Sequence, residues 1–106
     1  MEPPNEDIEK KYLELRKYSK LIENDYKKVV LNEDYSESDW KKDGRKINLN
    51  IKYLENTLRI IKEKIEKEKE NNNDDDLQEI EKYTIKVEEE IIPFVKKIKE
   101  KTQYFR

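Results

Sequence analysis

Apolar residues recur along this chain at alternating intervals of four and three, in three separate runs. The first is Ile8, Tyr12, Leu15, Ser19, Ile22, Tyr26 and Val29; the second is Trp40, Gly44, Ile47, Ile51, Leu54, Leu58, Ile61 and Ile65. The third is Leu77, Ile80, Thr84, Val87, Ile91, Phe94 and Ile98. This spacing keeps one line of each helix facing a neighbour. It predicts three helices over about residues 5–31, 37–70 and 76–104, within a single domain spanning 1–106. Pro3 and Pro4 push the first start to Asn5 as N-cap, and Asp76 with Glu79 has the form of a capping box for the third helix. Turn and capping residues fill Asn32 to Ser38, and the polar tract Asn71 to Asp76 has nothing to bury. The expected fold is all-α: an antiparallel up-down-up three-helix bundle with left-handed coiled-coil-like packing, about 40–50 Å long.

Three positions interrupt the regularity. Gly44 lies on the second seam, where a helix-interior glycine costs about 1 kcal/mol relative to alanine. Its place suggests that a large side chain, Trp40 or Tyr35, packs over it. Ser19 is the single break in the first seam. Pro93 falls inside the third run, removing a backbone donor and crowding the Glu89 carbonyl, so the helix is expected to bend there and continue.

Composition narrows the chemistry. Hydrophobic residues make up 33% of the 106 and charged residues 47%, a balance that suits helices with wide solvated faces. One Gly and three Pro supply too few turns for a sandwich or barrel. With no Cys and no His, disulfides, thiolate or imidazole catalysis and structural zinc sites drop out. The clusters Asp74-Asp75-Asp76 and Glu88-Glu89-Glu90 lack calcium-loop spacing and read as solvated. The chain is therefore expected to be no enzyme and to need no cofactor or metal. No apolar run approaches a membrane span, and the acidic N-terminus lacks a signal-peptide pattern, so a soluble, cytosol-facing chain without direct membrane insertion is expected.

Charge is uneven: residues 41–69 hold ten basic and five acidic groups, against acidic segments on both sides. Such a segment serves either as a patch for phosphate or anionic lipid or as an intramolecular partner for Glu of the other helices. The second reading is favoured, and nucleic acid is not expected as a ligand, because the chain as a whole carries −2. Some apolar residues lie off the seams. Leu49, Tyr53 and Ile60 share the outer side of the second helix; Ile85 and Ile92 do so on the third, and Leu13 and Leu21 on the first. An apolar row beside the core marks a docking surface for another helix, making Leu49, Tyr53, Ile60, Ile85 and Ile92 the candidate partner-binding residues.

The stretch Glu37-Ser38-Asp39-Trp40, followed by Ile51-Lys52-Tyr53-Leu54-Glu55-Asn56-Thr57-Leu58 and by Ile61 and Ile65, resembles the N-terminal domain of the syntaxin-six group of SNARE proteins. There an acidic-aromatic opening leads to an Ile-Glu-Trp-Asp-Leu-Glu-Asp-Leu-like core, with Tyr53 here in the aromatic place. The opening Asp76-Leu77-Gln78-Glu79-Ile80 of the third helix is similar too. The resemblance extends over about residues 5–102, with Trp40 some two residues out of register and the family's Asn-Pro loop and basic third-helix motif missing. It implies a non-enzymatic regulatory domain at Golgi or endosomal membranes. Such a domain docks a tethering complex, a Sec1/Munc18-type factor or its own SNARE motif, and a membrane anchor would follow beyond residue 106. A spectrin-like or coiled-coil structural repeat fits the same three heptad helices. Continuation of the gene separates the two: a SNARE motif and hydrophobic anchor, or another repeat.

Overall fold

A computed structural model describes the backbone of residues 4–71 and 75–105 and the side chains of 8–70 and 77–105. The described chain is all helical. Helix α1 spans Pro4–Val29 and α2 spans Glu37–Asn71; α3 (Asp75–Lys86) runs through a π-helical turn at Val87–Ile91 into α4 (Ile92–Thr102). Three rods result, within an envelope of 50 × 25 × 17 Å. Helices α1 and α3 open at Pro4 and Asp75, each one residue ahead of the starts expected at Asn5 and Asp76, whose side chains lie outside the described residues. Helix α2 begins on a cap that is described: the Ser36 backbone N–H and hydroxyl donate to the Asp39 carboxylate, and the Asp39 N–H donates to Ser36 Oγ. These donors hold the Asp39 carboxyl below its ordinary pKa.

The seams meet as one core. Ile8, Leu15, Ile22 and Val29 of α1 bury against Ile47, Ile51, Leu54, Leu58, Ile61 and Ile65 of α2 and Leu77, Ile80, Val87 and Ile91 of the third rod. Cross-contacts fix the registers. Between α1 and α2, Tyr18 meets Tyr53, Asp25 meets Asn50 and Lys28 meets Asp43. Between α2 and the third rod, Glu55 meets Lys99, Lys62 meets Glu88 and Lys69 meets Glu81. Numbers rise along one partner as they fall along the other in both sets. Between α1 and the third rod they rise together, through Tyr12–Tyr83 and Tyr26–Phe94.

The third rod departs from the expected heptad. Val95, not Phe94, is buried beyond Pro93, and the seam reads Val87, Ile91, Val95, Ile98, Thr102. Two successive intervals of four amount to one extra residue, and the π turn absorbs it. The Ile92 N–H reaches five residues back to the Val87 carbonyl, widening the helix ahead of Pro93. Phe94 is consequently half-buried and stacks on Tyr26 at 4.2 Å. Ser19 lines the same groove as Val87 and Ile91, and its small side chain leaves room for the wider turn. The buried hydroxyls of Thr84 and Thr102 donate to the Ile80 and Ile98 carbonyls.

One end of the molecule is tied by polar contacts. Helix α1 stops at Val29, two residues short of the expected Leu31, and Lys101 donates to the exposed carbonyls of Val29 and Asn32. Tyr35, in the α1–α2 connection, is buried near Phe105 and donates its hydroxyl to Asp43, which also pairs with Lys28. Burial, with the Asp43 carboxylate beside it, pushes the Tyr35 phenol up to about 12. Gly44 sits under Trp40, as the seam suggested: a β-carbon there would lie 2.8 Å from the indole Cε2.

Two outcomes follow from these contacts. Gly44→Ala is expected to destabilise by about 1 kcal/mol in urea unfolding, because displacing the indole outweighs the propensity gain. The emission of Trp40, the sole tryptophan, is expected to shift with it. The neutral Tyr35 phenol is favoured by folding, so its contribution is complete below the ordinary tyrosine pKa of 10.0 and fades as pH rises towards about 12. The stability difference between the wild type and Tyr35→Phe is therefore expected to shrink over that window, read by denaturation at stepped pH.

Candidate functional site

Helix α2 meets α1 through Tyr18–Tyr53 and Lys28–Asp43 and the third rod through ion pairs, and its outer surface carries three of the candidate residues. Leu49 and Tyr53 are 41% and 46% exposed, while Ile60 is half-buried. Of the three, Tyr53 lies against α1. The Tyr53 ring tilts against Tyr18 at a centroid distance of 5.6 Å, and Leu21, one turn on from Tyr18, is half-buried on the same side. Asn50 is buried next to this row and donates to the Asp25 carboxylate at 3.1 Å. Burial holds the Asp25 carboxyl above its ordinary range, opposed by the Asn50 hydrogen bond and by Lys28 and Lys46.

Ile85 and Ile92 belong elsewhere. Each follows by four residues a glutamate that pairs with α2, Glu81 with Lys69 and Glu88 with Lys62, so both lie along the groove between α2 and the third rod. Ile85 is 48% exposed, and Ile92 is half-buried. Ile92 lines a groove of ≈ 530 Å³ with Leu58, walled by Glu55, Arg59, Lys62, Glu63 and Glu66. Leu13, 61% exposed, lines a third groove with Arg16, Lys20 and Tyr83, between α1 and α3. The off-seam residues thus fall on three sides; Leu49, Tyr53 and Ile60 follow one another along α2, with Tyr18 of α1 against Tyr53.

Tyr18, Asp25 and Asn50 were not singled out from the sequence. A signal existed for Asn50, which lies three residues after Ile47 and four before Leu54, on the buried side of α2. Tyr18 carries no such signal, because its partner is 35 positions away in the sequence.

The basic charge of α2 divides in two. In the second half, Arg59, Lys62 and Lys69 form ion pairs with Glu63, Glu88 and Glu81, and Lys64 and Lys67 are also engaged. In the first half, Lys41, Lys42, Arg45, Lys46 and Lys52 form no ion pair among the described residues. The expectation that α2 neutralises its neighbours therefore holds for one half only. Of the acids near the first half, Asp43 is held by Lys28 and Tyr35 and Asp39 by the Ser36 cap, while Lys42 and Lys46 act on Asp39 and Asp25 without forming an ion pair.

Among the described residues there is no group of three or more acidic side chains placed to hold a metal ion, and no helix is long and apolar enough to cross a membrane. No family model, curated protein or solved structure matches the chain.

Replacing Leu49, Tyr53 and Ile60 together with glutamine is expected to cost about 1–2 kcal/mol in total, the largest part from the lost Tyr18–Tyr53 pair. Leu54→Ala, one turn away on the buried side, is expected to cost roughly 2–5 kcal/mol alone. Urea unfolding of the two variants checks the assignment of surface and core.

Proposed function

We propose that this chain is the non-enzymatic N-terminal regulatory domain of a SNARE protein of the syntaxin-six group. In this reading it is an antiparallel up-down-up bundle with left-handed coiled-coil-like packing, acting on the cytosolic face of Golgi or endosomal membranes. The registers support the arrangement: Tyr18–Tyr53 with Lys28–Asp43, and Lys62–Glu88 with Lys69–Glu81. The sequence likeness at Glu37–Trp40 and Ile51–Leu58 supports the family. The function rests on one observation, the exposed row of Leu49 and Tyr53 beside Tyr18 on the α1–α2 side.

An amphipathic helix laid along that row would bury Leu49 and Tyr53 as anchors, with Ile60 at one end. Its source is a SNARE motif, a tethering subunit or a Sec1/Munc18-type factor. Docking of this kind makes and breaks no covalent bond; it governs when the rest of a fusion protein is available.

The test is titration of a fluorescent SNARE-motif peptide from the same organism into the chain, with the Leu49, Tyr53 and Ile60 glutamine variant alongside. The variant is expected to keep its helicity and lose more than about tenfold in affinity, because a few buried anchors dominate such interfaces. Undiminished binding by the folded variant would remove the α1–α2 row from the interface and transfer the role to the groove of Leu58 and Ile92.

A further inference from the structure

The five cations in the first half of α2 that form no ion pair among the described residues call for an occupant. Lys41, Arg45 and Lys52 recur at intervals of four and seven, which places them on one line of the helix, and Leu49 sits between Arg45 and Lys52 on that line. Lys42 and Lys46 flank it on the α1 side. All six side chains are exposed, opposite the buried Ile47, Ile51 and Leu54. From Lys41 to Lys52 the line is about 16 Å long at the rise of an α-helix. Asp43 is the one carboxylate between Lys41 and Leu54, and it is held by Lys28 at 3.0 Å.

We infer that this crest of α2 is a peripheral contact for an anionic membrane surface. The shape decides between anionic partners. The cations radiate from the outer face of one helix, and the groove that Lys52 lines with Tyr53, Glu55, Asn56 and Arg59 takes in no other of the five, so a small anion would meet one or two at most. A nucleic-acid duplex is itself convex and would touch the ridge over a short length, while the remainder of a chain of net charge −2 would repel its ends. A plane of lipid headgroups is tangent to the whole line and lets every cation reach negative charge at once. Leu49 then rests at headgroup level without a spanning or inserted segment. The inference goes beyond helix docking on the α1–α2 side, and it depends on charges that the docking variant leaves intact.

The experiment is co-sedimentation of the full chain with vesicles one-third phosphatidylserine in phosphatidylcholine, against phosphatidylcholine alone. Binding is expected only to the anionic vesicles and is expected to fall steeply as salt is raised from about 50 to about 300 mM. The triple variant Lys41→Glu, Arg45→Glu, Lys52→Glu is expected to lose about tenfold or more in partitioning. A control with the same change in net charge, Lys10→Glu, Lys82→Glu, Lys86→Glu, is expected to stay within about twofold of wild type, because those exposed lysines lie on the other rods. Circular dichroism accompanies each variant; if the glutamate triple unfolds, the same positions changed to glutamine decide by the same comparison. Equal losses in the site and control variants, equal binding to uncharged vesicles, or tighter binding to a DNA duplex at the same salt would each overturn the inference.

Discussion

Each rod of this molecule has one apolar line on an otherwise charged cylinder, and its stability depends on that line being covered by the other two. Isolated helices of this kind are marginal in water, since surface charge pairs contribute a few tenths of a kcal/mol each. The fully buried Leu15, Ile22, Leu54, Ile61 and Ile98 come from all three rods, so removing any rod uncovers the lines of the remaining two. Everything else about the fold adjusts to keep those lines in contact.

The π turn is the clearest adjustment. An interval of eight residues between Val87 and Val95 would leave Val95 off the seam and put Phe94 on it if the helix continued unchanged. Widening one turn restores the phase, and Pro93 follows directly behind it, where the helix has one donor fewer to satisfy. The turn lies against the part of α1 where the small Ser19 stands on the seam, so that the irregularity in one helix is matched by a small residue in its neighbour. The end near Tyr35 is organised differently, by hydrogen bonds from Lys101 to helix-end carbonyls and from Tyr35 to Asp43, which fix how far the rods slide along one another.

Surface charge records the same division between used and unused contacts. Where α2 faces the third rod its cations are matched by glutamates, and where it faces solvent near its start they are not. The docking row and the cationic crest therefore adjoin on one helix but differ in kind. The row adds apolar area in a region shared with α1, while the crest adds long-range attraction over an open convex surface. In the proposed reading, one would bring the domain to a membrane and the other would select a protein partner.

Sequence alone determined the all-helical class, the number of rods, the connections and nearly all of the buried positions, because a period of 3.5 repeated over many turns admits no other local structure. It also placed Trp40 over Gly44, since four residues apart on a helix are neighbours whatever surrounds them. The burial of Val95 in place of Phe94 was decided by tertiary structure, because a π turn is unfavourable locally and forms only when packing against α1 rewards the corrected phase. The same holds for the pairing of Tyr18 with Tyr53, the link from Asn50 to Asp25, and the split of α2 into neutralised and unneutralised halves. Each depends on which residue of another rod arrives alongside, and a heptad pattern specifies that a neighbour is present without specifying its register.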